Sequence, residues 1–171
     1  LLEQDGKSDF LKISREMENL VNMYFVRQKH PTGFADAVMY ARAFTGDEPF
    51  AILLGDDIIY TDENTKPGIA QLVDCYYDTG KPAVAVMEVP DADIPKYANI
   101  RGEEIGERRY AIDKIVEKPA VKDKFSNNAV IGRYVVESDI YDIIRNTPPS
   151  PKGEVYFTDA LQYLASQGRL I

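Results

Sequence analysis

The 171-residue sequence is poor in several things that would each open a class of function. It has one cysteine, Cys75, so no intramolecular disulfide framework is possible, which fits a reducing compartment. It has one histidine, His30, with nothing nearby resembling the rest of a Ser/His/Asp triad or a histidine metal cage. Tryptophan is absent, and the 11 tyrosines carry no pattern that assigns them a task. No apolar run approaches the roughly 18 residues of a membrane helix. Positive charge is also short: Lys plus Arg is 20 against 28 for Asp plus Glu, a formal net charge of −8. A chain of that sign does not wrap nucleic acid through its overall field, although a local basic site for a phosphorylated small molecule is compatible with it. Gly and Pro are present at 11 and 10, which excludes collagen-like and low-complexity readings.

What is there reads as strand and helix in alternation, within one domain spanning 1–171. A short helix is expected over 11–20. Met23-Tyr24-Phe25-Val26 reads as a strand that ends at Arg27-Gln28, and Lys29-His30-Pro31-Thr32-Gly33 as a loop. Phe34, Ala37, Val38, Ala41 and Phe44 recur at helical spacing, with Thr32 as candidate N-cap. Phe50-Ala51-Ile52-Leu53-Leu54 is a continuous apolar run, the pattern of a strand covered on both faces in a parallel sheet. Ile69, Leu72, Val73 and Tyr76 mark a helix closed by Gly80, and Ala83-Val84-Ala85-Val86-Met87 a second buried-type strand. This is the α/β signature. Two strands over 99–105 and 109–117 then form a hairpin excursion, and a further strand covers 128–136. Ser138 and Thr158 are candidate caps of two last helices.

Candidate chemistry gathers at strand ends. In open α/β sheets ligands bind outside the carboxyl ends of the strands, so Asp56, just past an apolar strand, is placed to face a site. A carboxylate there suits Mg²⁺, which is held by one or two carboxylates plus substrate phosphates. Gly55-Asp56-Asp57 is equally good turn chemistry, and Asp57 is expected to be an exposed neighbour. In Val116-Glu117-Lys118-Pro119 a carboxylate able to accept from sugar hydroxyls stands beside an ammonium able to meet a phosphate, although an exposed edge of mixed charge reads as well. The Gln28 amide offers both a donor and an acceptor to a base edge, and Gly33 lets backbone approach a flat ligand. Gly153-Glu154 and Thr158-Asp159 read most simply as a loop and a helix cap.

The order of these segments carries more than any one of them. Phe25-Val26-Arg27-Gln28, Gly33, Gly46-Asp47-Glu48-Pro49-Phe50, Leu53-Leu54-Gly55-Asp56-Asp57, Val116-Glu117-Lys118-Pro119, Asn127-Asn128-Ala129-Val130-Ile131-Gly132-Arg133-Tyr134, Thr147-Pro148-Pro149 and Gly153-Glu154-Val155-Tyr156-Phe157-Thr158-Asp159-Ala160 follow one another. As a co-linear set they resemble the bacterial UTP:glucose-1-phosphate uridylyltransferases, or UDP-glucose pyrophosphorylases, from about Tyr24 onward. The resemblance implies a nucleotide-diphospho-sugar transferase fold, with a Rossmann-like, mostly parallel sheet, a β-hairpin excursion and an incomplete domain. It implies transfer of a uridylyl group from UTP to glucose 1-phosphate, in a cytoplasmic enzyme that binds no nucleic acid and no membrane. By position, Gln28 and Gly33 would read uracil, Asp56 would hold Mg²⁺, Lys118 would meet the sugar phosphate, and Glu117, Ala98 and Asn127 would line the sugar site.

The chain departs from the family pattern in places. Gly33-Phe34-Ala35-Asp36-Ala37 stands where many members have Gly-Leu-Gly-His-Ala, and Tyr97-Ala98-Asn99 where the family has Tyr-Gly-Val. Alternatives are therefore a thymidylyl- or cytidylyltransferase on another hexose 1-phosphate, or a catalytically silent sensor or assembly module. The family's Gly-rich triphosphate loop and second metal-binding Asp find no counterpart in the sequence, and the chain starts at Leu1 without Met. The expectation is an internal fragment, itself inactive, whose open sheet edge leads to self-association.

Overall fold

Five strands and six α-helices are laid down in a computed structural model that describes residues 8–151 and 153–171. The helices are α1 (Ser8–Leu20), α2 (Phe34–Met39), α3 (Arg42–Thr45), α4 (Gly68–Thr79), α5 (Ile140–Asn146) and α6 (Phe157–Ser166). The strands are β1 (Phe50–Leu53), β2 (Ala83–Glu88), β3 (Asn99–Gly106), β4 (Arg109–Val116) and β5 (Asn128–Val136).

The sheet is built around β5. On one side it pairs with β1, Phe50 opposite Val136 and Leu53 opposite Arg133. It also pairs with β2, from Ala83 opposite Val135 to Glu88 opposite Asn128, and touches β3 at Asn99 opposite Ala129. The expected parallel order is therefore only partly realised. Strands β1 and β2 run in the same direction, but β5 lies between them and is antiparallel to both. The reason is the β3–β4 hairpin, which reverses the chain so that β5 enters the sheet from the opposite end.

Two further expectations change. Residues 23–26 form no strand, since their backbone pairs with no neighbour among the described residues, and Phe25 is 89% exposed. The helix expected from Phe34 to Phe44 is broken at Tyr40 and Ala41, where i→i+3 bonds (Tyr40 to Ala37, Ala41 to Val38) tighten the turn. Its N-cap is Gly33, not Thr32, and neither α5 nor α6 has a side-chain cap.

The main core packs Ile100, Ile112 and Ile115 of the hairpin and Val130, Tyr134 and Val136 of β5 against Ile140, Tyr141 and Ile144 of α5 and Leu161, Leu164 and Ala165 of α6. A second cluster under α4 joins Leu72 and Cys75 to Ala83, Val135 and Ile171. Residues 170 and 171 act as a clasp. Ile112 N–H donates to the Leu170 carbonyl, and Val84 N–H to that of Ile171, so this segment lies along the outer side of β4 and reaches β2.

Candidate active site

Three aromatic rings organise one end of the sheet. Phe34 opens α2, Tyr134 lies on β5 and Phe157 opens α6, with ring centroids 4.9–5.9 Å apart. Each ring adjoins a segment that carries chemistry. Phe34 follows Gly33, Tyr134 follows Gly132-Arg133, and Phe157 precedes Thr158. Packing the rings thus draws together residues that are distant in sequence.

Backbone bonds complete the arrangement. Leu54 N–H donates to the Gly132 carbonyl, Val130 N–H to that of Ala98, and Lys118 N–H to that of Tyr97. The Gly55-Asp56-Asp57 turn, the Tyr97-Ala98 step, Glu117-Lys118 and the middle of β5 are therefore consecutive along one sheet end. The turn after β1 is stapled at both sides. Arg133, itself buried, donates to the Leu54 carbonyl (3.0 Å) and to the Asp57 carbonyl, while Asp57 Oδ2 accepts from Gly132 N–H at 2.9 Å. Gly132 has no room for a Cβ, which would collide with Asp57 Oδ2 and with Leu54. Asp57 is thus not the exposed neighbour expected from strand-like alternation, because the turn leaves the extended conformation before reaching it. Asp56 is the exposed member of the pair, and no side chain or backbone group among the described residues engages its carboxylate.

Glu117 is held from the other side. Its Oε2 accepts from Thr158 Oγ1 at 2.5 Å, and its Oε1 stands 3.8 Å from Lys118 Nζ. Lys118 adopts φ +44°, a left-handed conformation unusual for a long side chain, and its side chain is 60% exposed. Backbone held in that region concentrates at ligand sites. Thr158 was expected to cap α6, but it lies inside the helix and serves Glu117. Tyr134 faces both carboxylates. Burial pushes its phenol well above the ordinary tyrosine value, and Glu117 and Asp57 add to the shift. Tyr134 and the two anchoring roles are not visible in the sequence, because each depends on partners 17 to 77 positions away.

Gln28 and Gly33 sit together at the start of α2. Gly33 has φ +109°, and a Cβ there would lie 2.5 Å from Glu154 Oε1. Gln28, Pro31, Thr32, Gly33, Gly153 and Glu154 line a cleft of about 480 Å³. Ala98 is buried beneath the Glu117-Lys118 step, its carbonyl held by Val130. Asn127 does not join these residues. Its amide donates to the Val89 carbonyl and to Asp91 Oδ1, both at 2.8 Å, and its Oδ1 accepts from Lys124 Nζ at 2.9 Å. Those bonds fasten the entry of β5 to the loop after β2.

No group of three or more His, Cys, Asp or Glu side chains among the described residues could enclose a metal. The unengaged carboxylate of Asp56 does fit a hard cation that takes most of its oxygens from water and phosphate.

Comparison with known proteins bears on the family. A family model described as nucleotidyl transferase matches residues 2–171. UTP–glucose-1-phosphate uridylyltransferase 1 of Staphylococcus saprophyticus is 40% identical over 167 residues, covering 98% of this chain and 57% of the relative. A uridylyltransferase of Streptococcus pyogenes serotype M1 is 39% identical over 171 residues, again covering 57% of the relative. The crystal structure of a UDP-glucose pyrophosphorylase complexed with UDP-glucose superposes with a TM-score of 0.87 at 36% identity, covering 95% of this chain and 61% of that one. The chain thus spans somewhat over half the length of the relatives it matches. The match of the family model from end to end, on a sheet that brings Asp56, Glu117 and Lys118 to one side, means that the chain belongs to the nucleotidyl transferase family.

Proposed function

We propose that the protein carrying this chain transfers a uridylyl group from UTP to glucose 1-phosphate, releasing pyrophosphate. The observation that carries the proposal is the row of hydrogen-bonded steps from the Asp56 turn through Gly132 and Ala98 to Glu117-Lys118. It sets a free carboxylate, an ammonium and an oriented carboxylate along one sheet end. That is the equipment nucleotidyl transfer needs, since catalysis rests on positioning two anions in line and offsetting their charge. The relatives of known structure and sequence named for UTP and UDP-glucose support the same reading.

In this reading the Lys118 ammonium meets the phosphate of the sugar and Glu117 accepts from its hydroxyls. The Thr158 bond leaves Glu117 Oε1 as the oxygen that faces the ligand. Gln28 and the Gly33 backbone contact the uracil. The step joins the sugar phosphate oxygen to the α-phosphorus of UTP as the bond to pyrophosphate breaks. Asp56 would hold Mg²⁺, which when bound neutralises phosphate charge. One buried free cysteine, Cys75, agrees with a cytoplasmic setting, and the open edge of β1 with self-association of the chain.

The test is a substrate panel on the full-length protein, with UTP, dTTP and CTP each against several hexose 1-phosphates. UDP-glucose formation should dominate. A preference for dTTP or CTP moves the protein to a sibling activity, and no product with any pair makes it a silent module. Asp56→Asn should lower turnover by about 10²–10³-fold, the loss typical of removing one electrostatic stabiliser, with an unchanged circular dichroism spectrum. A rate near wild type would remove Asp56 from the site.

A further inference from the structure

Gln28 carries one amide, and the fold spends half of it. Its Nε2 donates to Asp36 Oδ2 at 2.5 Å and to the Gly33 carbonyl at 3.3 Å. Both partners are acceptors only, a carboxylate and a carbonyl, so the nitrogen and not the oxygen must face them. An amide nitrogen has two protons, and both are taken. Oε1 receives no hydrogen bond from any described residue, and Gln28 lines the cleft beside Gly33 and Glu154. A free glutamine offers a ligand either a donor or an acceptor. This one offers an acceptor.

We propose that Asp36 determines base specificity. By fixing the Gln28 amide with Oε1 outward, it makes the site complementary to a base whose ring edge presents an N–H. The proposal rests on reading Gln28 as the residue that meets the base. Uracil and thymine carry a proton on N3 and can donate to Oε1. Cytosine carries a lone pair on N3, so the same approach sets acceptor against acceptor and leaves two desolvated groups unpaired. Discrimination built on a hydrogen bond that the wrong ligand cannot make is far steeper than discrimination by shape. Asp36 needs no contact with the nucleotide. It sits on α2, half-buried, one turn from Gly33, and acts through the amide it orients.

The experiment measures binding of UTP and CTP to the full-length protein by titration calorimetry, for wild type, Asp36→Asn and Asp36→Glu. Wild type should bind UTP at least about 30-fold more tightly than CTP. Asn is isosteric with Asp but can donate as well as accept, so Gln28 regains both orientations. The UTP-to-CTP ratio should then fall about tenfold, mainly through tighter CTP binding. Glu keeps the acceptor-only carboxylate and should keep a ratio near wild type. A D36N protein with the wild-type ratio overturns the role of Asp36 while leaving the base site standing. Wild type that binds neither nucleotide, or both equally, overturns the base-site reading first and this proposal with it. Should D36N lose its fold, D36Q carries the same expectation against the D36E control, because its amide also donates as well as accepts.

Discussion

Thr158 Oγ1 donates to Oε2 of Glu117, and in the proposed reading that bond decides which carboxylate oxygen remains for the sugar. A hydrogen bond to a charged group contributes about 1.5–3 kcal/mol, so removing the hydroxyl at constant shape should be visible in kinetics. Thr158→Val in the full-length protein is expected to raise the KM for hexose 1-phosphate about tenfold, with the KM for UTP nearly unchanged. Steady-state kinetics with each substrate varied in turn checks this, and equal effects on both would dissociate Thr158 from the sugar side. At this scale the sequence was legible where a side chain stays on the surface. Asp56 and Lys118 are exposed on the turn and strand-end segments where composition puts them. It was not legible where a residue acts through another. Thr158 looked like a helix cap and Asp57 like a solvated neighbour, because their partners come from other elements.

Hydrophobic pattern located most of the elements. The strand expected over 128–136 is β5 to the residue, and the hairpin strands differ from expectation by one residue at one end each. Pattern could not supply partners, however, and a strand exists only when its backbone is paired. Residues 23–26 have strand-like composition and no ladder, so they stay irregular. Direction was equally invisible, since an apolar run reads alike whether its neighbour is parallel or antiparallel. One buried amide shows how elements are joined. Asn99, fully buried at the start of β3, donates to the carbonyls of Ser126 (3.1 Å) and Asn128 (2.9 Å), and its Oδ1 accepts from Phe125 N–H at 2.8 Å. It replaces the ladder that β3 and β5 nearly lack, their register consisting of one pair. Asn99→Ala would leave buried backbone groups without partners, at about 1–3 kcal/mol for each group left unsatisfied. Urea unfolding should show a loss of roughly 3 kcal/mol, and a loss under 0.5 kcal/mol, within the range of an ordinary surface change, would mean that water substitutes for the amide.

The two borders of the sheet are treated differently, and that difference governs how whole molecules meet. On the β4 side, Ile112 N–H is taken by the Leu170 carbonyl and Ile115 N–H by Gln162 Oε1 at 2.9 Å, so little backbone is left to template another strand. On the β1 side, the strand pairs with β5 alone and its other border carries no hydrogen bond from any described residue. Leu53 is about half exposed there, and Tyr24, Phe25 and Phe44 are exposed on the α2–α3 side. An unpaired, apolar strand border is a docking surface for another strand, and natural proteins protect such borders with charge. The net charge of −8 opposes association only over the screened distance of about 8–10 Å and does not protect a border that bears no charged side chain between Phe50 and Leu53. The 171-residue chain should therefore associate through β1 as its concentration rises, and light scattering across a concentration series would register the mass increase. Leu53→Lys sets a charge on the exposed face without touching the core and should shift the series back toward monomer. Wild-type chain that stays monomeric at high concentration would mean that the border is already covered, and an L53K chain that associates as strongly as wild type would move the contact away from β1.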